Sequence, residues 1–79
     1  MERTQVFETV KKYILDQLTI SPDRVTEDAK IVEDLGADSA NLMMLVMDLE
    51  AEFDMTVEDD AISTIKTVGD IVDAILKKA

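Results

Sequence analysis

Ser39 is the residue in this chain whose type and position point most directly to chemistry. It ends the run Glu-Asp-Leu-Gly-Ala-Asp-Ser at residues 33–39, and an amphipathic stretch follows at once. Free backbone N–H groups and the dipole at the start of a helix favour a phosphate group there. Ser39 could therefore carry a phosphoester. A helix cap, a role that either Asp38 or Ser39 could fill, explains the same position more simply.

The composition excludes most other chemistry. The 79 residues include no Cys and no His, which removes disulfides, metal–thiolate sites and Cys-His or Ser-His catalysis. Neither Gly36 nor Gly69 follows the oxygen ligands that an EF-hand calcium loop requires, and two distant glycines do not form a phosphate-binding loop. Adjacent acids such as Asp59 and Asp60 are typical of a helix start rather than of an acid–base pair. We therefore expect neither an enzyme nor a metal site.

The charge of the chain is strongly negative and concentrated in its middle. Eighteen acidic residues stand against eight basic ones, for a net charge of −10, and residues 27–60 contain twelve acids with Lys30 as the only base. Such a surface disfavours nucleic acid and anionic membranes and suits a basic protein partner, although a merely solvated acidic surface has the same composition. No apolar run approaches the roughly 18 residues that span a membrane, and no signal-peptide pattern opens the sequence. We expect a cytoplasmic protein.

Apolar residues recur at helical spacing in three segments, which predicts an all-α fold. Residues 4–18 form the first predicted helix and residues 39–53 the second, while the last starts at Thr67, which pairs with Asp70 in a capping box. Acidic residues 58–60 begin a short helix that leads to residue 65. The prediction is a small four-helix bundle, with three main helices and one short helix, in a single domain of residues 1–79. The expected buried faces are Val6, Phe7, Val10, Ile14 and Leu18; Leu42, Leu45, Val46, Leu49 and Phe53; and Val68, Ile71, Val72, Ile75 and Leu76.

Residues 19–38 show no sustained periodicity and predict a long loop between the first two helices. A loop of about twenty residues in so small a domain is expected to be functional or anchored to the core. Gly36, near its end, predicts a positive φ angle or a close approach to the next element. The expected anchors are Ile20, Val25, Ile31, Val32 and Leu35.

Three methionines lie within five positions of the second predicted helix: Met43, Met44 and Met47. Exposed methionines suit surfaces that bind several partners, because the side chain is flexible and polarizable. Met43 in particular could instead fill a gap in the core.

The run at residues 33–39, the helical stretch at residues 45–54 and the segment at residues 65–72 resemble the acyl carrier protein family in its stand-alone, type II form. The similarity covers nearly the whole chain. It implies a carrier rather than an enzyme, in which a separate Mg-dependent transferase esterifies Ser39, next to Asp38, with 4′-phosphopantetheine from coenzyme A. Acyl groups would be held on this arm as thioesters. A monomeric carrier would deliver them to partner enzymes of fatty acid or related polyketide and specialised lipid biosynthesis.

The resemblance also implies two sets of contact residues. The second helix is the recognition helix of the family, which implies a docking surface for basic patches on the transferase and on acyl-processing enzymes. Its residues here are Asp38, Met44, Met47, Asp48 and Glu50. An acyl pocket inside the bundle is implied at Leu45, Leu49, Val57, Ile62, Ile65 and Ile71.

The chain departs from the usual pattern of the family near Ser39 and in the implied pocket. Ala40 stands where the family usually has Leu, and the start of the second helix is more apolar than usual, which favours dedicated partners over a housekeeping role. Branched Ile62 and Ile71 stand where small residues are common and predict short or poorly sequestered acyl groups. The alternative is an acidic helical interaction module that carries nothing, in which Ser39 is only a cap.

Overall fold

The computed structural model describes residues 2–78 and, for Lys78, the backbone alone. Its helices are α1 (Arg3–Gln17), α2 (Ser39–Phe53), α3 (Asp59–Ser63) and α4 (Val68–Lys78), with a short 3₁₀ helix at Pro22–Arg24. Within residues 2–78 the β pairing is limited to an isolated bridge between Lys30 and Thr67. The predicted all-α bundle with one short helix is confirmed, and Met1 and Ala79 of the predicted domain lie outside the described residues. No helix in the described part of the chain is long and apolar enough to cross a membrane.

The core lies where α1 packs against both α4 and α2. Each long helix buries one stripe of branched side chains, because residues three and four apart share a face. The buried residues of these stripes are Val6, Val10 and Ile14; Leu45, Val46 and Leu49; and Val68, Ile71, Val72 and Ile75. Other predicted members lie at the edges of the stripes and are only half-buried: Phe7, Leu18, Leu42, Phe53 and Leu76.

The long loop is anchored by fewer of the expected residues than its sequence predicts. Val25, Ile31 and Leu35 are buried and Ile20 is half-buried, but Val32 is 56% exposed, so its prediction as an anchor is wrong. Residues 31–35 form a tight turn in which Ile31 and Leu35 face inward, and this turn directs Val32 to solvent. The loop also buries two alanines, Ala29 and Ala37.

Backbone hydrogen bonds join the loop to the start of α4. Ile31 N donates to Lys66 O at 2.9 Å, Val68 N to Ala29 O at 3.0 Å and Gly69 N to Glu27 O at 2.9 Å. A Cβ atom on Gly69 would lie 3.0 Å from Glu27 O, tighter than ordinary van der Waals contact. The close approach predicted at Gly36 therefore occurs at Gly69. Gly36 has the predicted positive φ, 78°, but a Cβ atom at this position would meet nothing within 4 Å.

The start of α4 agrees with its sequence more closely than the end of α3 does. Thr67 Oγ1 accepts from Asp70 N at 3.1 Å, while Asp70 Oδ2 accepts from Lys66 N at 2.9 Å and from Thr67 N at 3.1 Å, so the predicted capping box of α4 is confirmed. These backbone donors, Lys66 first, lower the pKa of Asp70 below its usual value. The short helix ends at Ser63, two residues earlier than predicted, although Ile65 is buried as part of the core.

Candidate functional site

Asp38, not Ser39, caps α2. Asp38 Oδ1 accepts from Asn41 N at 2.8 Å, and Asn41 Oδ1 accepts from Asp38 N at 3.2 Å, which completes a reciprocal capping box. Ser39 is the first residue inside the helix. The interpretation of Ser39 as a simple cap is therefore wrong, because its neighbour already satisfies the donor that a cap would serve.

The Ser39 hydroxyl is open to reagents. The side chain is exposed, and its oxygen makes no hydrogen bond to any residue within the described range 2–78. Leu42 N is the first N–H of α2 to find a backbone acceptor, Asp38 O, at 3.0 Å, and Asn41 N is taken by the cap. The N–H groups of Ser39 and Ala40 come before these bonded donors, at a helix start that favours a bound anion.

The loop before Ser39 is held firmly in place. Ala37 is buried, and its N–H donates to Ile31 O at 3.1 Å. One turn earlier, Asp34 Oδ2 accepts from Lys30 N at 2.8 Å and Asp34 O accepts from Arg24 Nη2 at 2.9 Å. Ser39 thus projects from a fixed support rather than from a free linker.

Four of the five predicted docking residues are exposed, on α2 or at its N-cap, and are called here the docking face: Asp38, Met44, Met47 and Asp48. Met44 and Met47 are 56% and 62% exposed. Met43 is exposed as well, so the suggestion that it fills a core gap is wrong. The fifth residue, Glu50, differs, because it is half-buried and its Oε2 accepts from Val57 N at 2.7 Å.

The predicted pocket residues do not share one space, and Val57 and Ile65 also border larger open grooves of about 200 to 310 Å³. Leu49, Val57, Ile65 and Ile71 line one small cavity of about 10 Å³, which lies between α2, α4 and the segments on either side of α3. Leu45 is buried but lines a separate void of about 10 Å³ towards α1, because it lies on the opposite side of the buried stripe of α2. Ile62 is half-buried and lies outside the lining of both. The residues in the described range hold no group of acids arranged to bind a metal ion.

Known proteins match this arrangement along most of the chain. Residues 8–75 match the family described as the phosphopantetheine attachment site. The acyl carrier protein of Sulfurovum sp. (strain NBC37-1) is 51% identical over 67 residues, which cover 85% of this chain and 89% of that protein. The chain belongs to the acyl carrier protein family.

Two further acyl carrier proteins agree with this assignment. That of Thermotoga maritima is 49% identical over 76 residues, covering 96% of this chain and 94% of its own. The solved structure of the acyl carrier protein from Enterococcus faecalis has a TM-score of 0.83 and 38% identity, over the full length of both chains. The fold and the sequence thus place the chain in the same family.

Membership in the family defines what this acyl carrier protein does. It carries acyl groups and is not an enzyme, and its cofactor is a covalently attached 4′-phosphopantetheine. It interacts with a phosphopantetheinyl transferase and with acyl-processing enzymes. An exposed hydroxyl without a hydrogen-bond partner in the described chain, at a helix start, is chemically suited to hold such a phosphate-linked group.

Two residues that shape the site, Asp34 and Asn41, were not identified from the sequence, and Glu50 was identified only as a docking residue. Asp34 fixes the loop, Asn41 completes the cap of α2, and Glu50 binds the segment before α3. The Asp-x-x-Asn spacing of residues 38–41 is a usable signal for a capping box, since Asn supplies the acceptor that Glu or Gln usually supplies. No local sequence pattern predicts the hydrogen bond from Val57 N to the Glu50 carboxylate, because the two residues lie on opposite sides of the end of α2.

Proposed function

We propose that Ser39 is the residue to which 4′-phosphopantetheine is attached. The observation that carries this assignment is that Asp38 caps α2, so the exposed Ser39 hydroxyl has no structural role. In the attachment, the Ser39 oxygen replaces the nucleotide part of coenzyme A at phosphorus and loses its proton. The remaining contribution of the chain is the N-terminus of α2, whose N–H groups and dipole stabilise the phosphate charge.

The docking face supports a proposal about partners. It combines the acids Asp38 and Asp48 with the apolar Met44 and Met47, so we propose that it binds basic patches that surround an apolar contact on the transferase and on acyl-processing enzymes. Ala40 is exposed and offers no large apolar contact beside Ser39, which supports dedicated partners. Equal turnover by general fatty-acid elongation enzymes would contradict that specialisation.

The cavity supports a proposal about the cargo. Its volume of about 10 Å³ and the branched Ile71 in its wall favour short or poorly sequestered acyl groups in fatty acid or related polyketide and specialised lipid biosynthesis. We propose a cytoplasmic monomer of one carrier domain, residues 1–79, as the working form, since repulsion between chains of net charge −10 opposes self-association.

The attachment proposal is tested by intact mass. The chain is incubated with coenzyme A, Mg²⁺ and a broad-specificity phosphopantetheinyl transferase, and the mass should rise by one phosphopantetheine group. Ser39→Ala should show no gain. Ser21→Ala is the matched control and should gain like wild type, because Ser21 is also an exposed serine before a helical turn and makes no side-chain cap bond. Modification of Ser39→Ala would contradict the assignment.

A further inference from the structure

The cavity between α2 and α4 cannot accept an acyl chain as it stands. Its volume of about 10 Å³ is at the lower limit for a single water molecule. Protein interiors are close-packed, so a chain of several methylene groups can lie there only if a wall moves. The wall whose movement costs the least free energy therefore controls the entry of an acyl chain into the cavity.

The walls of the cavity differ in how the backbone of each is held. Helices α2 and α4 supply most of the lining and are held by continuous backbone hydrogen bonds. The remaining lining comes from Ile65, whose neighbour Lys66 accepts from Ile31 N, and from Met55 and Val57, in an irregular segment of residues 54–57 called here the strap. The strap begins at Asp54, whose left-handed φ of 51° is an uncommon conformation for a residue other than glycine.

The strap is attached to one residue of α2. Asp54 N and Met55 N both donate to the backbone oxygen of Glu50, the latter at 3.0 Å. Val57 N donates to the Glu50 carboxylate, Oε2, at 2.7 Å, and Glu50 itself lines the cavity. The side chain of Glu50 therefore spans the opening between α2 and the strap.

We propose that Glu50 is the latch that closes the cavity over residues 54–57, and that it sets whether an acyl group on the arm is buried in the core or left outside. The inference rests on the proposed function, because the acyl group reaches the cavity from Ser39. It replaces the role implied for Glu50 as a docking charge, since the residue is half-buried and its carboxylate accepts from the strap. A hydrogen bond to a carboxylate is stronger than one to a neutral acceptor, which makes Glu suited to this position.

The latch is tested first on the chain without its arm, by amide hydrogen exchange at Val57. Glu50→Ala removes the acceptor and should speed exchange about tenfold, whereas Glu50→Gln keeps an acceptor oxygen and should lie between wild type and Glu50→Ala. Glu52→Ala is the matched control, because Glu52 is on the same helix and accepts from the Tyr13 hydroxyl at 2.6 Å instead of from the strap. Equal Val57 exchange in wild type and in both Glu50 variants would overturn the proposal.

Access to the cavity is tested on chains that carry an octanoyl or an acetyl group on the arm, with loading verified by mass. The octanoyl group should shift the amide resonances of Ile65 and Ile71 more in Glu50→Ala than in wild type or Glu52→Ala, and the acetyl group should shift them little in all three. Equal octanoyl shifts in all three chains would overturn the control of access. Failure to load wild type would contradict the Ser39 assignment instead, and the exchange result would still decide whether Glu50 holds the strap.

Discussion

At the scale of single residues, Asp38 caps α2, which leaves the Ser39 side chain without a capping role. Asp38 and Asn41 satisfy the helix start, and Ser39 keeps an exposed hydroxyl. An N-cap side chain is worth about 1 kcal/mol, while an exposed first-turn residue contributes little. The site is therefore free to change chemically, through modification of Ser39, without loss of helix stability.

This difference between Asp38 and Ser39 predicts different stabilities for two adjacent substitutions. Asp38→Ala should lower the free energy of unfolding by about 1 kcal/mol, because it removes the acceptor for Asn41 N. Ser39→Ala should change the free energy by less than about 0.5 kcal/mol, although it should abolish attachment of the arm. Urea denaturation of both variants measures the two values. A larger loss for Ser39→Ala than for Asp38→Ala would show that the serine has a structural role.

The sequence predicted the chemistry of single residues better than their environment. It identified Ser39 but left the cap open between Asp38 and Ser39, because both have a short side-chain oxygen. Glu50 resembled one more acid on a helix surface, since its bond to Val57 depends on how the chain folds back after α2. Val32 is apolar like Ile31 before it, and only the geometry of the turn shows that Val32 faces solvent.

At the scale of elements, the long loop and the start of α4 form one joint. Residues 27–31 are hydrogen-bonded to residues 66–69, and Gly69 is close enough to Glu27 O that a side chain would press on the backbone. Asp70 holds the other side of the joint through Lys66 N and Thr67 N. The capping box was predictable from the Thr67 and Asp70 spacing. The partner of Gly69 was not, because it lies about forty residues away in a segment without periodicity.

The lowered pKa of Asp70 predicts an acid-sensitive contribution to stability. A carboxyl with a lowered pKa in the folded state stabilises the fold above its unfolded pKa of about 3.9 and loses that contribution as the pH falls through its folded value. Wild type should therefore exceed Asp70→Asn in stability at neutral pH by more than at about pH 2.5. Urea denaturation at both pH values measures the difference. A gap that stays constant or widens in acid would contradict the role given to the ionised carboxylate.

At the scale of the whole molecule, repulsion competes with a few ion pairs that tie distant segments together. Arg3 in α1 pairs with Glu27 in the loop and with Asp73 in α4, and these bonds raise its pKa further above its usual range. Exposed ion pairs contribute little to stability, however, because solvent and salt screen them. A net charge of −10 on a body with a longest extent of 28 Å leaves its acids within mutual reach at low salt.

We therefore expect added salt to raise the melting temperature. The screening length is about 30 Å at 0.01 M salt and about 3 Å at 1 M, so repulsion across the molecule is removed over this range. Thermal unfolding by circular dichroism across the series measures the effect. Arg3→Gln should melt lower than wild type yet rise with salt in the same way. A melting temperature that is unchanged or falls with salt in both chains would show that repulsion does not limit stability.

The exposed Ser39 hydroxyl makes no hydrogen bond within the described residues, which has a practical consequence in a chain with no cysteine. A Ser39→Cys variant would contain one thiol, at the point from which the arm extends and where the fold makes no demand on the side chain. A thiol-reactive crosslinker placed there would convert brief encounters with enzymes into covalent complexes. The masses of those complexes would identify the proteins that approach this end of α2, and these proteins would in turn reveal the pathway that the carrier serves.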